Sequence, residues 1–222
     1  MREMMRDALA AIFKRLIERQ GILRFHPGVS RYTLQKIAPY LRAELDRRIL
    51  ASANLIVLNR EEAITKTLQR FSGWATSIPK GGAANPKKKK ANEEIKKSVG
   101  ALPFIERRVL IDQGHKLNSA LSSIVATDNG AIAGRWFSHW RQSGYDYRPD
   151  HKERDGNIYL VRGSWAYDRG LVKSTHGFTD DITQPGEEVY CRCQYTYLYA
   201  LRQLPPEMLT VKGKRALEEA RA

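Results

Sequence analysis

The chain has 222 residues, 42% of them hydrophobic and 28% charged, with a formal net charge of +14. That much apolar material excludes a wholly disordered chain, and the length suits one domain or two small ones. The longest unbroken apolar run, Ala8 to Phe13, is six residues, short of the ~20 needed to span a membrane or the ~7–15 of a secretory signal core. The expectation is therefore a chain that neither spans a membrane nor is exported by that route. Only Cys191 and Cys193 are cysteines, so no disulfide framework is expected and a reducing compartment is the default. The charge is unevenly spread. Residues 1–100 carry 21 Lys/Arg against 9 Asp/Glu, a net +12, whereas residues 101–222 carry 17 against 15, a net +2. Such an excess favours a polyanion or an acidic protein surface as partner of the first half.

Met5, Leu9, Ile12 and Leu16 recur at helical spacing over residues 4–17, and Gly21 is a stop. His26-Pro27-Gly28 reads as a turn. Pro39 suits the first turn of a second helix, whose face is Leu41, Leu45, Arg48 and Ile49. Asn59 can cap a third helix carrying Ile64, Leu68 and Phe71 and ending near Gly73. Pro79, Gly81, Gly82, Asn85 and Pro86, followed by Lys87, Lys88, Lys89 and Lys90, mark a linker. A long helix is expected from about Pro103 to Ala126, with Leu110, Gly114, Leu117, Leu121 and Ile124 on one stripe. Gly114 costs about 1 kcal/mol against alanine there, which suggests a close crossing or a kink.

From residue 136 the composition turns aromatic: 13 of the 20 aromatics lie in 136–199. Turn-formers at Gly144, Asp155-Gly156, Gly163, Gly170, Gly177 and Pro185-Gly186 punctuate the segment, so short strands joined by tight turns are expected. Over 189–199, Val189, Cys191, Cys193, Tyr195, Tyr197 and Tyr199 share one parity, which implies one buried aromatic face and one more polar face. A final helix follows Pro205-Pro206.

Four constellations bear on function. Cys191 and Cys193 are two apart on an extended segment, so both thiols face one way. With His139, His151 or His176 they can form a Cys/His zinc site, although one intervening residue is fewer than the usual spacing, and two small buried hydrophobes are the plainer reading. Arg148-Pro149-Asp150-His151 with Asp155-Gly156 is either an acid/base pair of His151 with Asp146, Asp150 or Asp155, or a structural corner in which proline sets the bend and arginine and histidine tie loops together. The corner is favoured, because no nucleophile can be assigned. Asp112, Gln113, Lys116 and Asn118 are either anchors for the sheet or a solvated helix face. Lys87–Lys90 can touch phosphates or an acidic partner without reading sequence, or merely solubilise a linker.

The order of these elements resembles a known family. Arg108-x-x-Ile111-Asp112-Gln113-x-x-Lys116-Leu117-Asn118 lies on a long helix and is followed by an aromatic strand ending at Trp140. Arg148-Pro149-x-His151 with Asp155-Gly156 comes next, and then Cys191-Arg192-Cys193 preceded by Pro185-Gly186. Over about residues 101–200 this resembles the C-terminal domain of the tailed-phage head morphogenesis (Mu F-like) minor head proteins, which show an Arg-x-x-His-like corner and an Asn-Cys-Arg-Cys-like strand, with Tyr190 here where the family often has asparagine. The resemblance implies an α+β fold and a non-catalytic minor capsid protein acting in head and portal assembly, located in the virion at the head or portal vertex and in the host cytoplasm during assembly. It implies portal, major capsid or scaffold proteins as partners, and possible contact with packaged DNA. The expected layout is a basic helical arm (1–78), a Lys-rich linker (79–100) and a domain (101–222) of one long helix packed on short antiparallel strands with a C-terminal helix. Trp140, Arg148, His151, Asp155, Gly156 and Arg192 are expected to be structural. Two alternatives stand beside this reading: a metal-dependent hydrolase or nuclease using His151, Asp146, Cys191 and Cys193, and a sequence-independent nucleic-acid-binding protein or head–tail connector.

Overall fold

The computed structural model describes residues 2–76, 88–144 and 146–220. The fold is α+β. Helix α1 (Arg2–Phe13) continues into a wide turn over Lys14–Glu18, and a short 3-10 segment follows at Gly21–Phe25. Met5, Leu9, Phe13, Leu16 and Ile17 are all buried, as the helical spacing requires.

The second and third expected helices are one. Helix α2 (Arg31–Thr76) runs unbroken with Pro39 inside it, and Asn59 falls within it rather than at a helix start. The start signal is Ser30, whose hydroxyl accepts the Thr33 N–H at 3.1 Å. An interior proline removes a backbone donor and costs about 3 kcal/mol. The stripe Leu34, Ile37, Leu41 and Leu45 spans the proline and is buried along its length. Burying those side chains stabilises by roughly 1.5–3 kcal/mol each, which outweighs the proline.

Helix α3 (Lys88–Asp128) also begins earlier than Pro103. Residues 88–100 of the expected linker are therefore helical. Residues 79–87, including Lys87, lie outside the described residues, and Lys88–Lys90 are placed only as helix backbone. The apolar faces of α1, α2 and the second half of α3 form one cluster, from Met5 and Leu9 through Leu41 and Ile56 to Leu117, Leu121 and Val125. The N-terminal segment is thus packed on the long helix rather than standing apart from it. Gly114 permits the close crossing expected of it, since a Cβ there would lie 2.7 Å from Ile12 Cδ1 of α1.

The aromatic half forms three strands: β1 (Ala133–Phe137), β2 (Ile158–Leu160) and β3 (Gln194–Leu198). They pair antiparallel in the order β2-β1-β3, with Ala133 opposite both Leu160 and Leu198. The strand read over 189–199 is shorter than expected. Cys191 and Cys193 precede it, and Val189 is 56% exposed rather than inward. Both faces of the sheet are covered. Trp136, Tyr159, Tyr195 and Tyr197 pack with Ala126 and Ala131 on one side. Ile132, Ile158, Leu160 and Leu198 pack on the other with Leu171, Val172, Leu204 and Met208. Short helices α4 (Pro149–Glu153) and α5 (Trp165–Asp168) sit in the connections.

The last helix, α6 (Val211–Glu219), is capped by Thr210, whose hydroxyl accepts the Gly213 N–H at 3.0 Å. Gly213 packs against the Leu171 carbonyl so closely that a Cβ would collide with it. Overpacking costs typically 1–3 kcal/mol, more than the roughly 1 kcal/mol that alanine gains in helix propensity. Gly213→Ala should therefore lower unfolding stability by about 1 kcal/mol, read from the urea midpoint at an unchanged slope.

Candidate metal centre

Three segments meet at one buried point. Pro149 starts α4, and its fixed backbone angle suits a first helical turn. That short helix carries His151 inward, at 1% exposure. The approach to β3 brings Cys191 and Cys193 to the same place, both buried and both free thiols. His151 Nδ1 lies 3.6 Å from Cys191 Sγ and 3.5 Å from Cys193 Sγ. Among the described residues, these three form the one group of His, Cys and acidic side chains whose ligand atoms all fall within 4.8 Å of one another.

The opposite nitrogen of the ring faces two carboxylates but hydrogen-bonds neither. His151 Nε2 is 3.3 Å from Glu188 Oε2 and 3.8 Å from Asp150 Oδ2. Arg148 pairs with the same Glu188 oxygen at 2.7 Å and donates to the Val189 carbonyl, while Arg154 pairs with Asp150 at 2.8 Å. The carboxylate charge lies on the side of the ring away from the sulfurs, and Nδ1 is the nitrogen turned toward both thiols. The sulfurs receive backbone help, since Gly186 N–H donates to Cys191 Sγ at 3.3 Å. The buried Ser138 hydroxyl lies 3.7 Å from Cys193 Sγ. Trp136 closes the group, its ring centre 5.3 Å from that of His151 with the planes at 68°. The Cys191 thiol is held below its usual value, first by the hydrogen bond it shares with Cys193 and further by the Gly186 amide, against the upward push of burial. Cys193 is pushed up by the same shared bond and by burial.

The donor set fits a metal ion. Tetrahedral zinc, with Zn–S of about 2.3 Å and Zn–N of about 2.0–2.1 Å, sets S···N edges of about 3.6 Å. Both observed S···N separations are close to that value. A hydrogen bond serves less well, because Nδ1 offers one proton or one lone pair and faces two sulfurs at nearly equal distance. The buried His151/Cys191/Cys193 group can therefore hold a metal. The two cysteines are also packed as small buried hydrophobes, in the cluster with Trp136, Tyr159, Tyr195 and Tyr197.

The other candidates fall into place around this centre. Asp155 ties the corner: its carboxylate accepts Ser138 N–H at 2.9 Å, Trp140 Nε1–H at 2.9 Å and Arg141 at 3.3 Å. Gly156, at φ +86°, donates to the Trp136 carbonyl. Asp112 is an anchor rather than a solvated position, accepting the Tyr190 N–H at 2.7 Å and pairing with Lys116 at 3.1 Å. Asp146 is not in the metal-ligating group. It lines a separate cleft with Arg148 and Arg192. His139 lies against Phe137 and His176 against Tyr159, so of the three histidines it is His151 that meets the sulfurs. Glu188, Gly186, Ser138 and Trp136 were not singled out for this site. Of these, the Pro185-Gly186 turn carries a sequence signal, that of a turn.

No helix of the described residues is long and apolar enough to cross a membrane. Compared with family models, with curated proteins and with solved structures, the chain has no match.

Proposed function

We propose that the protein is a minor structural component of a tailed-phage head, acting in capsid and portal assembly without catalytic turnover, and that its C-terminal body is pinned by a structural zinc ion on His151, Cys191 and Cys193. The observation that carries this reading is the convergence of the residues that bear the family resemblance. Asp112 of the long helix holds the backbone at Tyr190. Asp155 ties Trp140 to the strand end. Arg148 holds the Glu188–Val189 segment, and His151 meets both cysteines. Segments up to 78 residues apart in the chain thus form one knot. Tyr190 also has φ +61°, a left-handed conformation in which asparagine is enriched, and asparagine is the residue the family often carries there.

Burial favours a structural over a hydrolytic metal. A catalytic zinc needs an open position that substrate can reach, and all three donors here are buried. The hydrolase alternative also loses Asp146 from its ligand set. The basic excess of residues 1–100 suits docking on an acidic portal, scaffold or DNA surface. The test is to delete the gene in its own phage and count assembled heads. The reading expects the protein in purified wild-type heads and few or no DNA-filled heads without it. Normal yields of filled heads without the protein would overturn it.

A further inference from the structure

Helix α2 has two apolar faces, and the described residues cover one of them. Leu34, Ile37, Leu41, Leu45 and Ile56 are buried in the cluster shared with α1 and α3. On the opposite side Tyr32 is 76%, Tyr40 73%, Leu50 60% and Val57 44% exposed, with Leu58 at the flank 60% exposed. One exposed leucine or tyrosine needs no explanation, whereas a continuous stripe of them marks a contact surface. The stripe is also regular. Between Lys36 and Glu61 it runs through Tyr40, Ala43, Arg47, Leu50, Asn54 and Val57, at alternating steps of four and three residues, all of them exposed. That alternation is the seam of a coiled coil, presented here with no helix on it among the described residues.

The charged members of the seam decide how a second α2 would lie on it. In a parallel pair each seam residue meets its own copy, so Lys36, Arg47 and Glu61 would make three like-charge layers, which are destabilising. An antiparallel pair avoids all three. One register sets Tyr40 against the partner's Val57, Arg47 against the partner's Leu50, Asn54 against the partner's Ala43 and Lys36 against the partner's Glu61. Each tyrosine then lies on an apolar group, and an opposite-charge pair closes each end. Sliding the register by a heptad either way separates Lys36 from Glu61. Arg47 is folded back on Glu44 of its own helix at 2.7 Å, so its apolar stem, not an unpaired charge, covers the leucine. The size also suits a dimer. Tyr32 and Tyr40, each about three-quarters exposed, offer roughly 150 Å² apiece. With Leu50, Val57 and Leu58, two copies together cover about 1,000 Å², where specific interfaces begin.

We propose that the exposed face of α2 is the docking surface for a second copy of this chain, paired antiparallel with Lys36 of each copy on Glu61 of the other. The same patch serves on both sides, as a closed two-fold dimer requires. The pairing rests neither on the phage-head reading nor on the metal, and its failure leaves both standing.

The test is sedimentation equilibrium of the full chain at physiological salt over a range of concentrations, with circular dichroism of each variant to check folding. The wild type should be a reversible dimer. Leu50→Glu, at an exposed position near the two-fold axis, should leave it monomeric. Lys36→Glu and Glu61→Lys should each weaken dimerisation about tenfold, because two attractions become two repulsions, and the double variant should return close to the wild-type value. A parallel pair gives no such rescue, since each swap there exchanges one like-charge layer for another. A wild type that stays monomeric at millimolar concentration would overturn the proposal. So would a dimer unmoved by Leu50→Glu, or single charge swaps that the double variant does not rescue.

Discussion

Purified without chelator, the protein should carry about one zinc per chain, and Cys191→Ser should lose it together with a large share of its stability. Removing one ligand from a three-donor set removes most of the metal's affinity, and metal binding that occurs only in the folded state is folding free energy. A metal there would join the α4 corner to the approach of β3, 40 residues apart. Its loss releases a loop of that length and also leaves His151 buried beside Glu188 without its partner. A cost of several kcal/mol is expected. At roughly 2–4 °C per kcal/mol for a chain of this size, the thermal midpoint should fall by about 10 °C. Adding a strong chelator to the wild type should reproduce the fall, and added zinc should reverse it. The same chelator should leave the Cys191→Ser midpoint where it was. A wild type that is metal-free as isolated, and indifferent to zinc and chelator, would remove the metal from the account.

Acid should destabilise the protein through His26. Its ring is 1% exposed, stacks on Tyr197 with centres 5.3 Å apart and meets the Tyr199 hydroxyl at 2.6 Å. Burial lowers its pKa from 6.5 to about 4. The folded state therefore keeps the ring neutral where the unfolded chain would protonate it. The unfolded chain binds the extra proton between those two values, so stability is full above about pH 6.5 and declines as pH falls toward 4. The shift corresponds to about 3 kcal/mol at the acid end. His115 and His139 are also lowered by burial and add slope of the same sign, so the His26 part is read by difference. His26→Gln should cost a modest amount at pH 7, through the Tyr199 contact, yet lose about 3 kcal/mol less than wild type between pH 7 and pH 4. Parallel pH profiles for the two proteins would contradict this. The contact also joins the N-terminal segment to β3, so the His26 defect should be accompanied by loosening of the Gly21–Phe25 turn, visible as faster amide exchange there.

Much of the architecture was legible from side-chain periodicity. The Met5–Leu9–Leu16 stripe, the Leu117–Leu121 stripe and the Tyr195–Tyr197 alternation all face a core, because each places apolar groups on one side of a regular element. Pro39 sits inside α2 rather than in a first turn, since a proline signal is local whereas the Leu34–Leu45 stripe that overrides it acts through tertiary packing. The early start of α3 was hidden by four adjacent lysines, which suit a linker as well as a solvated helix. Within the site, residue types pointed to Cys191, Cys193 and a histidine. His151, the histidine expected with Cys191 and Cys193, is brought to the sulfurs by the path of the chain around Pro149. Glu188 and Tyr190 carry no periodic signal at all. Their roles come from a loop whose course is set by Asp112 and Arg148, both distant in sequence.

A metal held between the His151 imidazole and the two sulfurs would knit the body together. X-ray absorption at the zinc edge of the purified protein tests it most directly. The account predicts two sulfur scatterers at about 2.3 Å and a nitrogen of imidazole type at about 2.0–2.1 Å, with one sulfur lost in Cys193→Ser. A shell made only of nitrogen and oxygen, or a spectrum unchanged by that substitution, would contradict it.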